Sequence, residues 1–144
     1  MGYVSDILDT KGGAALGIDG SATVYEAIVK MVDGNVGALL VWEGERLAGI
    51  VTERDYLRRV TLEERDERTT PVREIMSAPL VYVSPDTPID ECMAVMTERR
   101  IRHLPVLTDD REVVGIVSIG DVVKARLSEL EQENHALSEY LTGR

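Results

Sequence analysis

Gly49-Ile50-Val51-Thr52-Glu53-Arg54-Asp55-Tyr56-Leu57 returns 66 residues later as Gly115-Ile116-Val117-Ser118-Ile119-Gly120-Asp121-Val122-Val123. Both stretches run Gly, two β-branched residues, a hydroxyl residue, two variable positions, Asp, then two apolar or aromatic residues. Each reads as a strand that ends where a helix begins, because a hydroxyl three residues before an acid is a capping-box pattern. Found once, the pattern says only that a helix starts. Found twice in register, it says that the chain repeats itself.

The repeat extends outward from these stretches. Val4-Ser5-Asp6-Ile7-Leu8 aligns with Val72-Arg73-Glu74-Ile75-Met76 at an offset of 68, and Glu26-Ala27-Ile28 aligns with Glu91-Cys92-Met93 at 65. Small insertions in turns account for the drift. Each unit opens with a short amphipathic turn and a brief extended segment (Ala15 to Ile18; Leu80 to Val83). A helix follows. In the first unit it carries Val24, Ala27, Ile28 and Met31, and Gly34-Asn35 ends it. In the second, Pro85-Asp86-Thr87-Pro88 starts it, and Ile89, Met93 and Met96 continue it. Two short strands come next, with turns at Gly44 and at Asp109-Asp110. A final helix begins after Thr52 and after Ser118.

The expected fold is therefore α/β (α+β): two β-α-β-β-α repeats packed with pseudo-twofold symmetry, since one small sheet cannot bury both its faces. The expected division is 1–60 for the first repeat, 61–70 for a charged linker, 71–125 for the second repeat and 126–144 for a C-terminal amphipathic helix.

Bulk properties narrow the function. The 144 residues are 44% hydrophobic and 29% charged, which suits a soluble globular chain. No apolar run approaches the roughly 20 residues that span a bilayer. The opening Met1-Gly2-Tyr3-Val4-Ser5-Asp6 reads as neither a signal peptide nor a myristoylation signal. A formal net charge of −10 argues against nucleic-acid and membrane partners. The single cysteine, Cys92, sits in an apolar helical pattern and reads as a buried thiol, with a cytoplasmic location as the default. Phosphate-loop, dinucleotide and nucleophile-elbow glycine motifs are absent, His103 and His135 lack metal-ligand spacing, and no Ser/His/Asp set presents itself. The expectation is a protein that is not an enzyme and requires no cofactor or metal.

Four groups of residues are candidates for a binding site. Thr52/Asp55 and Ser118/Asp121 are capping boxes on one reading. On the other they are a site, because a helix start after a strand offers free N–H groups and Asp accepts hydrogen bonds from ribose hydroxyls. The two readings are compatible. Arg102-His103, entering an apolar strand, is either surface charge or a phosphate clamp. The first repeat has Gly37-Ala38 there, so the two sites should not be equivalent. Arg54 lies beside Asp55 where the second repeat has Gly120. Lys11-Gly12-Gly13-Ala14 is a turn with little further signal.

The tail carries Val123, Leu127, Leu130, Leu137 and Leu141 in steps of four and three, with Asn134 completing the series. Asn134 at an a position between leucines at d fits a parallel helix pair, hence a homodimer. The alternative is a lone amphipathic helix packed on its own domain.

The duplicated G-I-V-[TS]-x-x-D, the run Arg100-Ile101-Arg102-His103-Leu104-Pro105-Val106 and the β-α-β-β-α order resemble the cystathionine-β-synthase (CBS) domain family, over about 5–60 and 71–125. The chain looks like a stand-alone bacterial pair of such domains. The resemblance implies two clefts that take AMP, ADP, ATP, S-adenosylmethionine or NAD(H). It implies that Asp55 and Asp121 hold ribose hydroxyls, with Thr52 and Ser118 near phosphate or ribose and Arg54 or Gly120 lining the same cleft. Arg102 and His103 would contact phosphate, and backbone near Ala14 and Leu80 would meet adenine. Pro105 and Ile116 would form apolar walls, and Ala38 would stand in the first cleft where the second has His103. The expected function is a non-catalytic sensor of AMP, ATP or NAD(H), whose change of shape is read by an effector protein. The alternative is an interaction scaffold without a physiological nucleotide.

Overall fold

The computed structural model of the chain describes residues 2–12 and 15–142. The elements run α1 (Val4–Lys11), β1 (Gly17–Asp19), α2 (Val24–Gly34), β2 (Ala38–Glu43), β3 (Arg46–Thr52), α3 (Glu53–Tyr56), α4 (Ile89–Arg99), β4 (His103–Leu107), β5 (Val113–Ser118) and α5 (Ile119–Thr142). A π-helical turn, Leu57–Thr61, prolongs α3, and a 3₁₀ turn covers Val72–Glu74.

The chain forms two compact units that do not follow the order of the repeats. One is 15–81; the other joins 1–14 to 82–144. The opening turn of each repeat is thus built into the unit that holds the other repeat's sheet. The hydrogen bonds of the exchange match. In the first unit Val72 N–H donates to Ala22 O, Arg73 N–H to Gly20 O and Val24 N–H to Thr70 O. In the second, Val4 N–H donates to Thr87 O, Ser5 N–H to Pro85 O and Ile89 N–H to Gly2 O. In both units these bonds satisfy N–H groups that a helix start would leave open.

In unit 15–81 the sheet order is β1-β2-β3, with β1 parallel and β3 antiparallel to β2. Gly44, at φ 64°, supplies the left-handed corner between β2 and β3. Val24, Ala27 and Met31 on α2 pack with Leu39, Val41 and Val51 of the sheet and with Val60, Val72 and Ile75. The charged stretch after α3 folds back on this unit. Tyr56 donates to Glu67 at 2.8 Å, the Arg68 guanidinium lies 4.1 Å from the Tyr25 ring centre, and Thr70 is buried.

In the other unit β4 and β5 pair antiparallel, and Val4, Ile7, Ile89, Cys92, Met96, Leu104, Val106, Val117 and Val122 are buried. Burial pushes the Cys92 thiol up to about 11, in keeping with the buried thiol expected. The repeat is visible in detail. Both hairpins carry a register shift at the same point, between Val41 and Trp42 and between Val106 and Leu107. The equivalent helices α2 and α4 both end on a left-handed residue, Asn35 or Arg100, with the next N–H donating back to Met31 O or Met96 O.

One expected strand is reduced. The segment Leu80 to Val83 contributes only a bridge, Val83 beside Val106. Pro105 explains it. In the first repeat Leu40 N–H donates to Leu16 O and extends the parallel ladder. Pro105 holds the position equivalent to Leu40, and proline has no N–H to donate.

Candidate functional site

The two Asp-bearing motifs occupy matching corners, each within its own unit. Ala38, which opens β2, lies opposite Thr52, which closes β3; His103, which opens β4, lies opposite Ser118, which closes β5. The residue after each hydroxyl then donates backward across the hairpin, Glu53 N–H to Gly37 O at 3.1 Å and Ile119 N–H to Arg102 O at 2.8 Å. The same backbone bond thereby ties the helix start to the neighbouring strand in both corners.

Both capping boxes are formed. Asp55 Oδ2 accepts from Thr52 N–H at 3.0 Å, and Asp55 N–H donates to Thr52 Oγ1 at 3.2 Å. Asp121 Oδ2 accepts from Ser118 N–H at 2.9 Å, and Asp121 N–H donates to Ser118 Oγ at 3.2 Å. What completes each corner differs. Asp55 is 9% exposed, and its Oδ1 accepts from the Ser77 hydroxyl at 3.1 Å. Asp121 is half-buried and receives the Lys11 ammonium on Oδ2 at 2.6 Å. Burial works to raise the Asp121 pKa. The Lys11 hydrogen bond and charge, with the Ser118 N–H, outweigh it and hold the carboxyl below its ordinary 3.8, ionised at neutral pH.

The other sequence candidates fall around these corners. Arg102 and Arg54 are exposed, His103 and Ile116 are half-buried, and Pro105 is buried opposite Ile116. Gly120 sits exposed in the first turn of α5, and Leu80 is half-buried just past Ser77. Ala14 lies outside the described residues. The corner at Asp121 thus gathers Arg102, His103, Pro105, Ile116, Ser118 and Gly120. The corner at Asp55 gathers Thr52, Arg54 and Ala38, with Leu80 on the segment that supplies Ser77.

Ser77 escaped the sequence reading, and Lys11 entered it only as part of a turn. Ser77 closes the Asp55 corner and carries no motif of its own. Lys11 closes the Asp121 corner, and one signal existed for it: it is the sole cation among the first 29 residues. Among the described residues no three His, Cys, Asp or Glu side chains converge as a metal site, and no helix is long and apolar enough to cross a membrane.

A strand-to-helix corner with a capping acid, built once in each unit, marks the chain as a tandem repeat. The CBS domain pattern matches residues 4–62 and 72–128, and the chain belongs to that family as a pair of CBS domains. It is 42% identical over 152 residues to the mitochondrial CBS domain-containing protein CBSX3 of Arabidopsis thaliana, covering 97% of this chain and 72% of that protein. It matches a solved CBS-domain protein from Burkholderia ambifaria at a TM-score of 0.84 and 48% identity, covering 88% of this chain and 95% of that one. A hexameric CBS-CP12 protein from bloom-forming cyanobacteria matches at a TM-score of 0.76 and 29% identity, covering 85% and 70% of the two chains. Pairs of CBS domains are generally regulatory modules that bind adenosine-containing ligands, and stand-alone ones are generally non-catalytic.

Proposed function

We propose that this protein is a non-catalytic sensor of an adenine nucleotide, AMP, ATP or NAD(H), and that its primary site is the Asp121 corner. The observation that carries this reading is the state of Asp121: an ionised, half-buried carboxylate at the start of a long helix, bonded to Ser118, which lies opposite His103. An ionised carboxylate accepts both hydroxyls of a ribose, and the helix start suits a nearby phosphate. Asp55 is the weaker candidate, because its unit's own hydroxyls already satisfy it. The ligand acts by binding one arrangement of the protein better than another, and an effector protein reads the shift.

Isothermal titration with AMP, ATP, NAD(H) and S-adenosylmethionine tests the reading. Asp121→Ala is expected to lose at least about tenfold in affinity, while the protein stays folded because a lost cap costs about 1 kcal/mol. Absence of binding below millimolar by the wild-type protein ends the nucleotide reading. It leaves the scaffold alternative, which the closed Asp55 corner favours. The cytoplasm is the compartment we propose for the sensor.

The partner we propose is a second copy of the chain, paired through α5. Leu127 and Leu137 are each 56% exposed and Leu141 is 73% exposed on one stripe. The flank of α5 beside this stripe is tied to its own unit, with Arg126 3.7 Å from Asp90 and Glu129 accepting from Gly2 N–H at 3.1 Å. Asn134 would set the register of a parallel pair. The double variant Leu130→Lys/Leu137→Lys is expected to halve the mass measured by light scattering. An unchanged mass would remove α5 as the pairing surface.

A further inference from the structure

The opening turns of the two repeats end differently, and each delivers its own group to the Asp of the unit it is built into. α1 runs on to Lys11, so further helical bonds take its carbonyls, with Leu8 O accepting from Gly12 N–H at 2.8 Å. The matching turn of the second repeat is a 3₁₀ turn that stops at Glu74. The carbonyls of Ile75 and Met76 then have no following helical turn to take them. Arg59 takes both. Its Nη1 donates to Ile75 O at 3.2 Å and to Met76 O at 3.0 Å. A cationic side chain is well suited to finish the carbonyls at the end of a helical turn.

The early stop makes Ser77 the next residue. Its N–H donates to Ile50 O at 2.8 Å, its carbonyl accepts from Ile50 N–H at 3.2 Å, and its hydroxyl donates to Asp55 Oδ1 at 3.1 Å. With this segment in place Asp55 is 9% exposed. Arg59 lies four residues after Asp55, on the π-helical turn that prolongs α3. The stretch that carries the acid thus also carries the group that holds a cover over it. Sixty-six positions on, the second repeat has Ala125, whose side chain has no donor.

We propose that Arg59 is a positioning residue that keeps the Asp55 corner shut to nucleotide, a clamp that the Asp121 corner lacks. The clamp rests on the nucleotide reading given above. Arg59 acts through Ser77, whose hydroxyl must withdraw before a ribose reaches Asp55 Oδ1. Removing the guanidinium deletes two ties on the segment and leaves the Ile50 bridge. Arg59 is exposed, so water replaces part of what is lost, and the effect is roughly five-fold.

The test is AMP titration, with hydrogen exchange at the Ile50 and Ser77 amides, in Asp121→Ala, Asp121→Ala/Arg59→Met and Asp121→Ala/Arg59→Lys. The Asp121→Ala background weakens the primary site, so the Asp55 corner dominates what binding remains. Arg59→Met is expected to speed exchange at both amides and to tighten AMP binding, each roughly five-fold. Arg59→Lys is expected to return both to the Asp121→Ala values, because one ammonium can donate to both carbonyls as Nη1 does. A role in folding alone would speed exchange without tightening AMP. No tightening in Arg59→Met, or no change in exchange, overturns the clamp, and AMP binding by the wild-type protein then leaves the nucleotide reading standing. A wild-type protein that binds no AMP overturns both.

Discussion

Gly49→Val is expected to destabilise the protein by about 3 kcal/mol, read as a fall in the urea midpoint at unchanged slope. A Cβ at Gly49 would stand 2.6 Å from the Ser77 carbonyl oxygen and 3.0 Å from Met76 Sδ. The methionine can turn aside, but the carbonyl cannot. Ser77 O accepts from Ile50 N–H at 3.2 Å, and Ser77 N–H donates to Ile50 O at 2.8 Å. Any retreat of the segment breaks this two-bond bridge, and branching at Cβ leaves no rotamer clear of it. The same displacement carries the Ser77 hydroxyl away from Asp55. Gly49→Ala should show a smaller loss of the same kind. Wild-type stability in Gly49→Val would mean that the 76–77 segment is not held against β3.

This glycine shows how unevenly the structure was written in the sequence. Gly49 stood out as the first residue of the duplicated stretch, yet its reason lies in Ser77, 28 positions on and outside any motif. Local features were legible. The caps at Thr52 and Ser118, the end of α2 at Asn35 and the β-α-β-β-α order each depend on residues a few positions apart, whose spacing states the geometry. The exchange of opening turns was not legible. Val4-Ser5-Asp6-Ile7-Leu8 and Val72-Arg73-Glu74-Ile75-Met76 are so alike that either could serve either sheet. The choice is made by long-range backbone bonds such as Val4 N–H to Thr87 O, which no side-chain pattern announces. The pairing of Lys11 was hidden for the same reason, because its partner Asp121 is 110 positions away. Pro105 was a sequence fact with an unread consequence. Its missing N–H shortens the second repeat's first strand, which only register information reveals.

Asp55→Ala is expected to cost about 2 to 3 kcal/mol, clearly more than Asp121→Ala, although the two residues hold matching places. The difference follows from what each truncation strands. Removing the Asp55 carboxylate takes the acceptor from Thr52 N–H at 3.0 Å, from the Thr52 hydroxyl at 3.2 Å and from the Ser77 hydroxyl at 3.1 Å. Asp55 is 9% exposed, so water reaches these donors poorly and their desolvation is left uncompensated. Removing the Asp121 carboxylate frees Lys11, which is 37% accessible and rehydrates, so little beyond the Ser118 cap is lost. Asp55→Asn keeps one carbonyl oxygen for Thr52 or Ser77 and should recover about half of the loss. Urea midpoints for the three variants, measured side by side without ligand, decide the matter. Equal losses at the two positions would show that the Asp55 corner is as open as its counterpart, and would make it an equal contender for the nucleotide.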